Sequence, residues 1–235
     1  MVNIELEKLS IWFKANRLSL NIKKTNYIIF SPTSKSQLFD SFSIQIDGTV
    51  IERVHHARFL GVYIDEKLKW GEHIHQISTK ISKNIGILAK LKHRLNTSVL
   101  IQLYSTLILP YLTYCNIVWT SAADTLQNKL HILQKKAVRV ISKSSFRAHT
   151  DPLFKQHRLL TVKQIRQFQI LCFVYKFHHG LLPLGFRNYF HLTSEIHTYN
   201  TRMASSSALA ISLAKTNRRK NTIKIIGPHF WNDTP

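Results

Sequence analysis

The feature that most constrains the fold is a change in hydrophobic period near Trp70. Before this residue, short runs alternate apolar and polar side chains, and a period of two is typical of β-strands. After it, apolar residues recur at helical spacing: Ile74, Ile77, Ile81, Ile85, Leu88 and Leu91. The sequence therefore predicts an α+β chain in which a small antiparallel sheet precedes a mainly helical part.

The first part contains one strong hairpin signal. Alternating apolar residues flank Asp47-Gly48, and both residues accept the positive φ angles of a two-residue type I′ turn. Residues 27–30 and 59–64 are further β-prone runs, and the second is predicted as a single strand that ends at Asp65. Residues 4–13 precede these runs and have the spacing of a short amphipathic helix.

The second part carries several signals for helix ends. The predicted starts are Asn96, Asp124 with Gln127 as a capping box, and Thr161 with Gln164 as a second box. Pro110 should bend its helix, and Gly180 should stop the last one. That last helix carries Ile165, Phe168, Leu171, Cys172 and Tyr175. From residue 184 onward we expect loops and a loose terminus.

The charge balance restricts the partners of the chain. Its 235 residues contain 33 Lys+Arg against 12 Asp+Glu, a formal net charge of +21. Such an excess favours nucleic acid as the partner, with an anionic membrane surface second. Residues 107–119 form the most apolar segment, which Pro110 interrupts and which is too short for a membrane span. The start lacks a signal-peptide pattern, so we expect an intracellular protein, nuclear or cytoplasmic, that is not secreted.

Cationic residues cluster on predicted helix faces, and this arrangement suits a groove that follows a nucleic-acid backbone. The candidate nucleic-acid-binding residues are Lys83, Lys90, Lys129, Lys135, Lys136, Arg139 and Lys143. A solvated helix face is the ordinary alternative for a stripe of charges. With so few acids available to pair with them, nucleic-acid contact is the favoured interpretation.

The residues needed for catalysis or metal binding are sparse. Asp65-Glu66 is the only adjacent acidic pair, and its position after a strand favours a turn over a metal site. The pairs His55-His56 and His178-His179 lack the ligand spacing of a zinc site, and the two cysteines form no C-x-x-C motif. No nucleophile elbow, Walker A loop or dinucleotide fingerprint is present. We expect no metal site and no cofactor in this chain.

Two segments of the first part, taken together, resemble a known family. Residues 12–25 read W-x-x-x-N-x-L-x-L-N-x-x-K-T, and residues 59–62 read F-L-G-V. They resemble consecutive motifs of the reverse transcriptases of non-LTR retrotransposons, the jockey-like group in particular. Residues 103–119, 133–139 and 227–232 look like the thumb and post-thumb region of the same proteins.

The resemblance implies roles for particular residues. Lys24 matches a lysine that assists the departing pyrophosphate, and a primer-grip-like segment consists of Phe59, Leu60, Gly61 and Val62. It also implies an architecture: a palm remnant over residues 1–70, a helical thumb-like region over 71–145, and a post-thumb helix with a basic, loop-rich tail over 146–235. The expected partner is a primer-template duplex of RNA and DNA.

One departure from the family pattern limits the expected activity. In the family, the catalytic aspartates lie upstream of the tryptophan motif, whereas this chain contains no D-D pair. We therefore expect a fragment, truncated at both ends, that is inactive alone and complements an upstream palm and fingers. Mg²⁺ is expected only for the full-length enzyme. Two alternatives stay open: a non-catalytic nucleic-acid-binding module, and a non-functional product of a decayed element with an aggregation-prone hairpin edge.

Overall fold

A computed structural model describes residues 2–31, 42–196 and 208–234 of the chain. The chain forms two compact units, Met1–His73 and Ile74–Pro235, and each is described separately. Helices and strands are both present, as an α+β chain requires. The finer division at residues 70/71 and 145/146 stays a prediction.

The first unit contains one helix, a 3₁₀ turn and six short strands among its described residues. They are α1 (Val2–Ala15), the 3₁₀ turn (Ile22–Lys24), β1 (Asn26–Tyr27), β2 (Gln45–Ile46), β3 (Thr49–Val50), β4 (Glu52–Arg53), β5 (His56–Phe59) and β6 (Val62–Asp65). The predicted first helix is confirmed. Its apolar side chains are largely exposed, and Ser10 is its only buried residue among those described.

The predicted Asp47-Gly48 hairpin is confirmed. Ile46 of β2 lies opposite Thr49 of β3 in an antiparallel pair, and φ is +49° at Asp47 and +74° at Gly48, as a type I′ turn requires. The carboxylate of Asp47 accepts hydrogen bonds from the Ser10 hydroxyl at 2.8 Å and from the Lys14 ammonium at 2.9 Å. The turn residue therefore also fastens α1 to the hairpin.

The single strand predicted over residues 59–64 is wrong. The chain reverses there, because Leu60 and Gly61 adopt φ of +45° and +85° and form the two-residue turn of a β5–β6 hairpin. The all-antiparallel expectation also needs correction, since β1 and β4 pair in parallel, with Asn26 opposite Glu52. Among the described residues, the strands form three separate two-stranded sheets.

The second unit is helical, and the boundary between the units falls in the first turn of its first long helix. The helices are α2 (Gly71–Leu91), α3 (Thr97–Leu107), α4 (Leu109–Thr113), α5 (Asn116–Trp119), α6 (Asp124–Ile141), α7 (Asp151–Gln156), α8 (Val162–His178), α9 (Thr193–Ile196), α10 (Asn217–Lys220) and α11 (Ile223–Asn232). The predicted α2 face is buried, with Ile81 and Leu88 fully enclosed. Asn96 caps α3 through a 2.9 Å bond to the Val99 amide. The bend at Pro110 is confirmed, because α3 ends at Leu107 and Pro110 opens α4.

Gln134 connects three helices inside the core of this unit. It is fully buried, and its amide nitrogen donates to the Tyr104 hydroxyl and to the Leu160 carbonyl, both at 2.8 Å. Its amide oxygen accepts from the Val162 amide at 2.9 Å. One buried side chain thus joins α3, α6 and the start of α8 with its donors and acceptor satisfied.

The predicted features of α6 and α8 are confirmed only in part. The Asp124 box is wrong, because Ala123 is the cap residue and no side chain caps α6; Asp124 lies in the first helical turn. The Thr161–Gln164 box is present in full. Of the residues that the sequence analysis names on α8, Phe168 is 59% exposed and Tyr175 is 50% exposed. The apolar neighbours Ile170 and Val174 are fully buried in their place.

The C-terminal region is more ordered than the sequence predicts. Gly180, at φ +63°, stops α8 as expected, with the Leu181 amide bonded back to the Lys176 carbonyl in a Schellman motif. In place of a loose end, α11 packs along α8. A Cβ at Gly227 would lie 3.1 Å from side-chain atoms of Phe190 and Val174, so a larger residue here would require these side chains to shift.

Candidate nucleic-acid interface

The charges of the chain are divided unequally between the two units. The four acids after residue 73 are Asp124, Asp151, Glu195 and Asp233. Twenty-three of the Lys and Arg residues lie in the same stretch. Within its described part, no Lys or Arg forms an ion pair with a carboxylate, and the only pair there joins His191 to Glu195. The lysines and arginines in the described part of this unit are therefore not neutralised by ion pairs within it.

The outer face of α6 carries the clearest candidates. Lys129 and Lys136 are exposed and seven residues apart, so they lie two turns apart on one face of the helix. Leu130 and Ala137, each one position later and therefore about 100° around the helix, are fully buried. The burial of one face thus holds the two ammonium groups in solvent.

The other candidates on α6 differ from these two. Lys143, just past the helix end, is exposed and has φ of +52°. Lys135 is half-buried. Arg139 is also half-buried, and its Nε donates to the Ala148 carbonyl at 2.9 Å, so this guanidinium supports the loop after α6. The predicted set therefore contains three exposed cations and two that are partly enclosed.

Helix α2 repeats the pattern of α6. Lys83 and Lys90 are exposed, seven residues apart, and lie opposite the buried Ile81 and Leu88. Both ammonium groups are free of carboxylate partners in the described part of the chain, where every ion pair that contains a lysine lies in the first unit.

Exposed aromatic rings on α8 were missed by the sequence reasoning. Phe168 and Tyr175 are seven residues apart and therefore share one face, and Tyr175 stacks on His179 with ring centroids 3.9 Å apart. Exposed rings beside cations suit the stacking of nucleic-acid bases. Their helical spacing could have identified the shared face, but it could not show that the face is exposed.

The primer-grip-like segment lies at the tip of the β5–β6 hairpin. Phe59 and Leu60 are 63% and 74% exposed, Gly61 completes the turn, and Val62 is buried. Lys24 ends the 3₁₀ turn and is exposed. The structure therefore presents three of the four segment residues to solvent and uses one in the core.

The adjacent acids Asp65 and Glu66 lie in a turn and form hydrogen bonds with nearby groups of the protein. The Asp65 carboxylate accepts from the backbone amides of Lys67, Lys69 and Trp70 at 2.8–3.1 Å. Glu66 bonds to His55 Nδ1 at 2.9 Å, and this bond lowers the pKa of the Glu66 carboxyl. Both carboxylates are thus engaged by groups of the protein.

The described residues contain no group of three or more His, Cys, Asp and Glu that could hold a metal ion.

His178 stacks on Trp231, with ring centroids 4.7 Å apart, and burial lowers the pKa of its imidazole. Across the described residues, no helix combines the length and apolarity that a membrane crossing demands.

Sequence comparison gives one consistent set of relatives. The chain is 28% identical to the RNA-directed DNA polymerase from mobile element jockey of Drosophila funebris, over 58% of the chain and 15% of the relative. It is 25% identical to the probable RNA-directed DNA polymerase from transposon BS of Drosophila melanogaster, over 68% of the chain and 18% of the relative. A third relative is the corresponding protein from transposon X-element of the same species, 22% identical over 66% of the chain and 17% of the relative. The alignments thus span less than a fifth of each relative's length.

No family model and no solved structure matches the chain. The resemblance predicted from the motifs is confirmed by the relatives: this chain is similar to the RNA-directed DNA polymerases of jockey-like and other non-LTR transposons.

Proposed function

We propose that this chain is a segment of a retrotransposon RNA-directed DNA polymerase, and that its helical unit binds the primer-template duplex. The observation that carries the proposal is the uncompensated charge of residues 74–235, where four acids face twenty-three Lys and Arg residues. Sequence-independent binding of a duplex requires such a surface, since phosphate contacts supply most of its affinity.

The exposed lysines act on the phosphates in this proposal. Lys129 and Lys136 on α6, with Lys83 and Lys90 on α2, displace condensed counterions from the backbone. The rings of Phe168 and Tyr175 offer apolar faces to unpaired bases at the ends of the duplex. Neither contact reads base identity.

The first unit contributes positioning in the same proposal. The exposed Phe59 and Leu60 at the β5–β6 tip hold the primer terminus, and Lys24 assists the departing pyrophosphate. Both roles are carried over from the motif resemblance. The carboxylates that hold Mg²⁺ belong to an upstream palm and fingers, which we propose as the partner of this segment in the nucleus or cytoplasm.

The catalytic part of the proposal is tested by primer extension. The purified chain, with Mg²⁺ or Mn²⁺, should show no template-dependent nucleotide incorporation, because its described residues provide no carboxylate cluster for two metal ions. Incorporation by this chain alone would contradict the proposal. Activity restored by adding an upstream palm segment would support it.

The binding part is tested by a double variant, Lys129→Gln with Lys136→Gln. We expect duplex affinity to fall by roughly tenfold or more near 0.1 M salt, and the slope of log K against log salt to lose about 0.9 for each lysine. Fluorescence anisotropy with a labelled RNA–DNA duplex over a salt series measures both quantities.

Lys8→Gln provides the matched control for charge. Lys8 is an exposed lysine of the first unit and pairs with Glu5 at 2.8 Å. Its loss should leave the salt slope unchanged. Equal slopes for the double variant and this control would show that the α6 face does not contact phosphates.

A further inference from the structure

A cavity of about 430 Å³ lies where α6 and α8 begin. Its polar wall comes from two helices that are distant in sequence but pack together in the second unit. The residues that concern its chemistry are Asp124, Gln127, Asn128, His131, Lys163 and Arg166. None of them belongs to the lysine faces described above.

Arg166 is the most constrained cation of this cavity. Its side chain is partly buried, and burial lowers the pKa of its guanidinium. Nε donates to the Thr120 hydroxyl, and no carboxylate among the described residues lies within ion-pair distance of the guanidinium. The negative charge of Asp124 acts on this guanidinium and opposes the lowering of its pKa, but the two side chains form no ion pair. A partly desolvated cation that lacks a paired carboxylate favours an anionic ligand. Lys163, one turn earlier on α8, adds a second, exposed positive charge.

Two buried nitrogen atoms of the wall are also unsatisfied. Gln127 Nε2 and His131 Nδ1 have no hydrogen-bond partner among the described residues. The first is a donor, and the second donates in the tautomer that carries its proton on Nδ1. Buried polar groups nearly always have partners, so these two call for acceptor oxygens from a ligand.

We propose that this cavity binds a phosphate group. A phosphate carries negative charge and several acceptor oxygens, which match two cations and two unpaired nitrogens on one wall. The volume exceeds that of a bare phosphate and also admits the attached sugar. The phosphate comes from a nucleic-acid chain or from a free small molecule, and the nucleic-acid source rests on the proposed function.

Asp124 and Lys163 allow a test in which two substitutions change phosphate affinity in opposite directions. It is the one acid on the wall, it is exposed, and it caps no helix. Its carboxylate repels a bound anion, so Asp124→Asn should tighten phosphate binding by roughly a factor of three. Lys163→Gln should weaken it by roughly tenfold. A merely structural role for this wall would not produce opposite effects.

The experiment follows the His131 and Arg166 side-chain resonances by NMR. The whole chain is titrated with inorganic phosphate, with a 5′-phosphorylated duplex, and with the same duplex bearing a 5′-hydroxyl. Chloride at matched ionic strength controls for salt. Lys176→Gln, an exposed lysine on the same helix but outside this cavity, is the matched control and should behave as wild type.

The outcomes separate the sources and the two proposals. If inorganic phosphate and the 5′-phosphorylated duplex shift the resonances but the 5′-hydroxyl duplex does not, the ligand is a terminal or free phosphate. If both duplexes shift them, the ligand is a backbone phosphodiester. If no probe shifts either resonance while Lys129 and Lys136 still govern duplex affinity, the cavity proposal is overturned and the proposed function stands. If inorganic phosphate shifts them and neither duplex binds, the proposed function fails and the phosphate site stands.

Discussion

The two units of this chain are stabilised in different ways. The described part of the first unit buries four apolar side chains: Ile46, Ile51, Val62 and Trp70. Several of its charges are paired within the unit, as in the Lys14–Asp47 bridge. The other buried apolar residues among those described all lie in the second unit, whose described lysines and arginines form no ion pairs with carboxylates. The second unit is thus stabilised by apolar burial and not by ion pairs. Its surface cations therefore remain available for a ligand.

Helix α1 shows the other side of this comparison. Ile4, Ile11 and Trp12 are each more than half exposed, and the helix is held to the β2–β3 hairpin through Ser10 and Lys14. Polar contacts to one turn residue, Asp47, therefore help to attach this helix, whereas apolar packing attaches the helices of the second unit. The first unit should be the less tolerant of charge changes and the second the less tolerant of cavities.

The largest expected effect contrasts two tryptophans. Trp119 is fully buried in the second unit, whereas Trp12 is 54% exposed in the first. Trp119→Ala should lower the free energy of unfolding by about 3–5 kcal/mol, through lost burial and a residual cavity. Trp12→Ala should change it by less than about 0.5 kcal/mol. Urea unfolding followed by circular dichroism measures both. Similar losses for the two variants would break the comparison.

A second effect tests whether the polar connection at Gln134 matters as much as the apolar core around it. Gln134→Ala leaves the Leu160 carbonyl and the Val162 amide without their partner, and we expect a loss of about 2–3 kcal/mol. Gln102→Ala, on the exposed side of α3, is the matched control and should be near neutral. A loss below about 1 kcal/mol at Gln134 would mean that water replaces these bonds.

Much of the local structure could be predicted from the sequence, because short-range chemistry decides it. The Asp47-Gly48 turn, the Thr161–Gln164 box and the Gly180 stop each depend on residues a few positions apart. The buried face of α2 was predictable because only one of its faces is apolar. The exposure of Lys129 and Lys136 follows in the same way from the apolar stripe on the neighbouring face of α6.

The remaining features depend on tertiary contacts. Helix α8 is apolar on several sides, so its packing against α6 and α11 decides that Ile170 is buried while Phe168 is not. The cavity wall combines His131 with Lys163, which are far apart along the chain. No local pattern brings them together. Gly227 illustrates the same limit, since its role is set by contact with Phe190.

A smaller effect concerns the β5–β6 turn, which the sequence concealed because Leu-Gly is not a preferred turn pair. Leu60 adopts φ of +45°, a conformation that disfavours leucine and that asparagine tolerates. Leu60→Asn should therefore stabilise the first unit by about 1 kcal/mol. The measurement is the loss of Ile46 and Ile51 methyl NMR signals with increasing urea. Leu18→Asn, also in the first unit and at negative φ, should give no gain, and an equal gain would refute the strain argument.

The smallest effect separates the units by pH. In the second unit, burial lowers the pKa of His131 and of His178 below the ordinary value of 6.5. In the first unit, hydrogen bonds from Lys14 and Ser10 lower the pKa of Asp47, and the bond from His55 lowers that of Glu66 below 4.5. A group with a lowered native pKa contributes stability above its unfolded value, and this contribution is lost as the pH falls through the native one.

The helical unit should therefore begin to weaken as the pH falls below about 6.5, and the strand unit only below about 4.5. Methyl NMR at fixed urea measures this, with Leu130 and Ile141 reporting on the second unit and Ile46 and Ile51 on the first. Lys135, Asp151 and Lys163 also act on the His131 imidazole of the wild-type chain. His131→Gln removes this group and should flatten the upper transition, and His178 then accounts for the remaining slope. Loss of both units in one pH window would show that the charges of the two units are not independent.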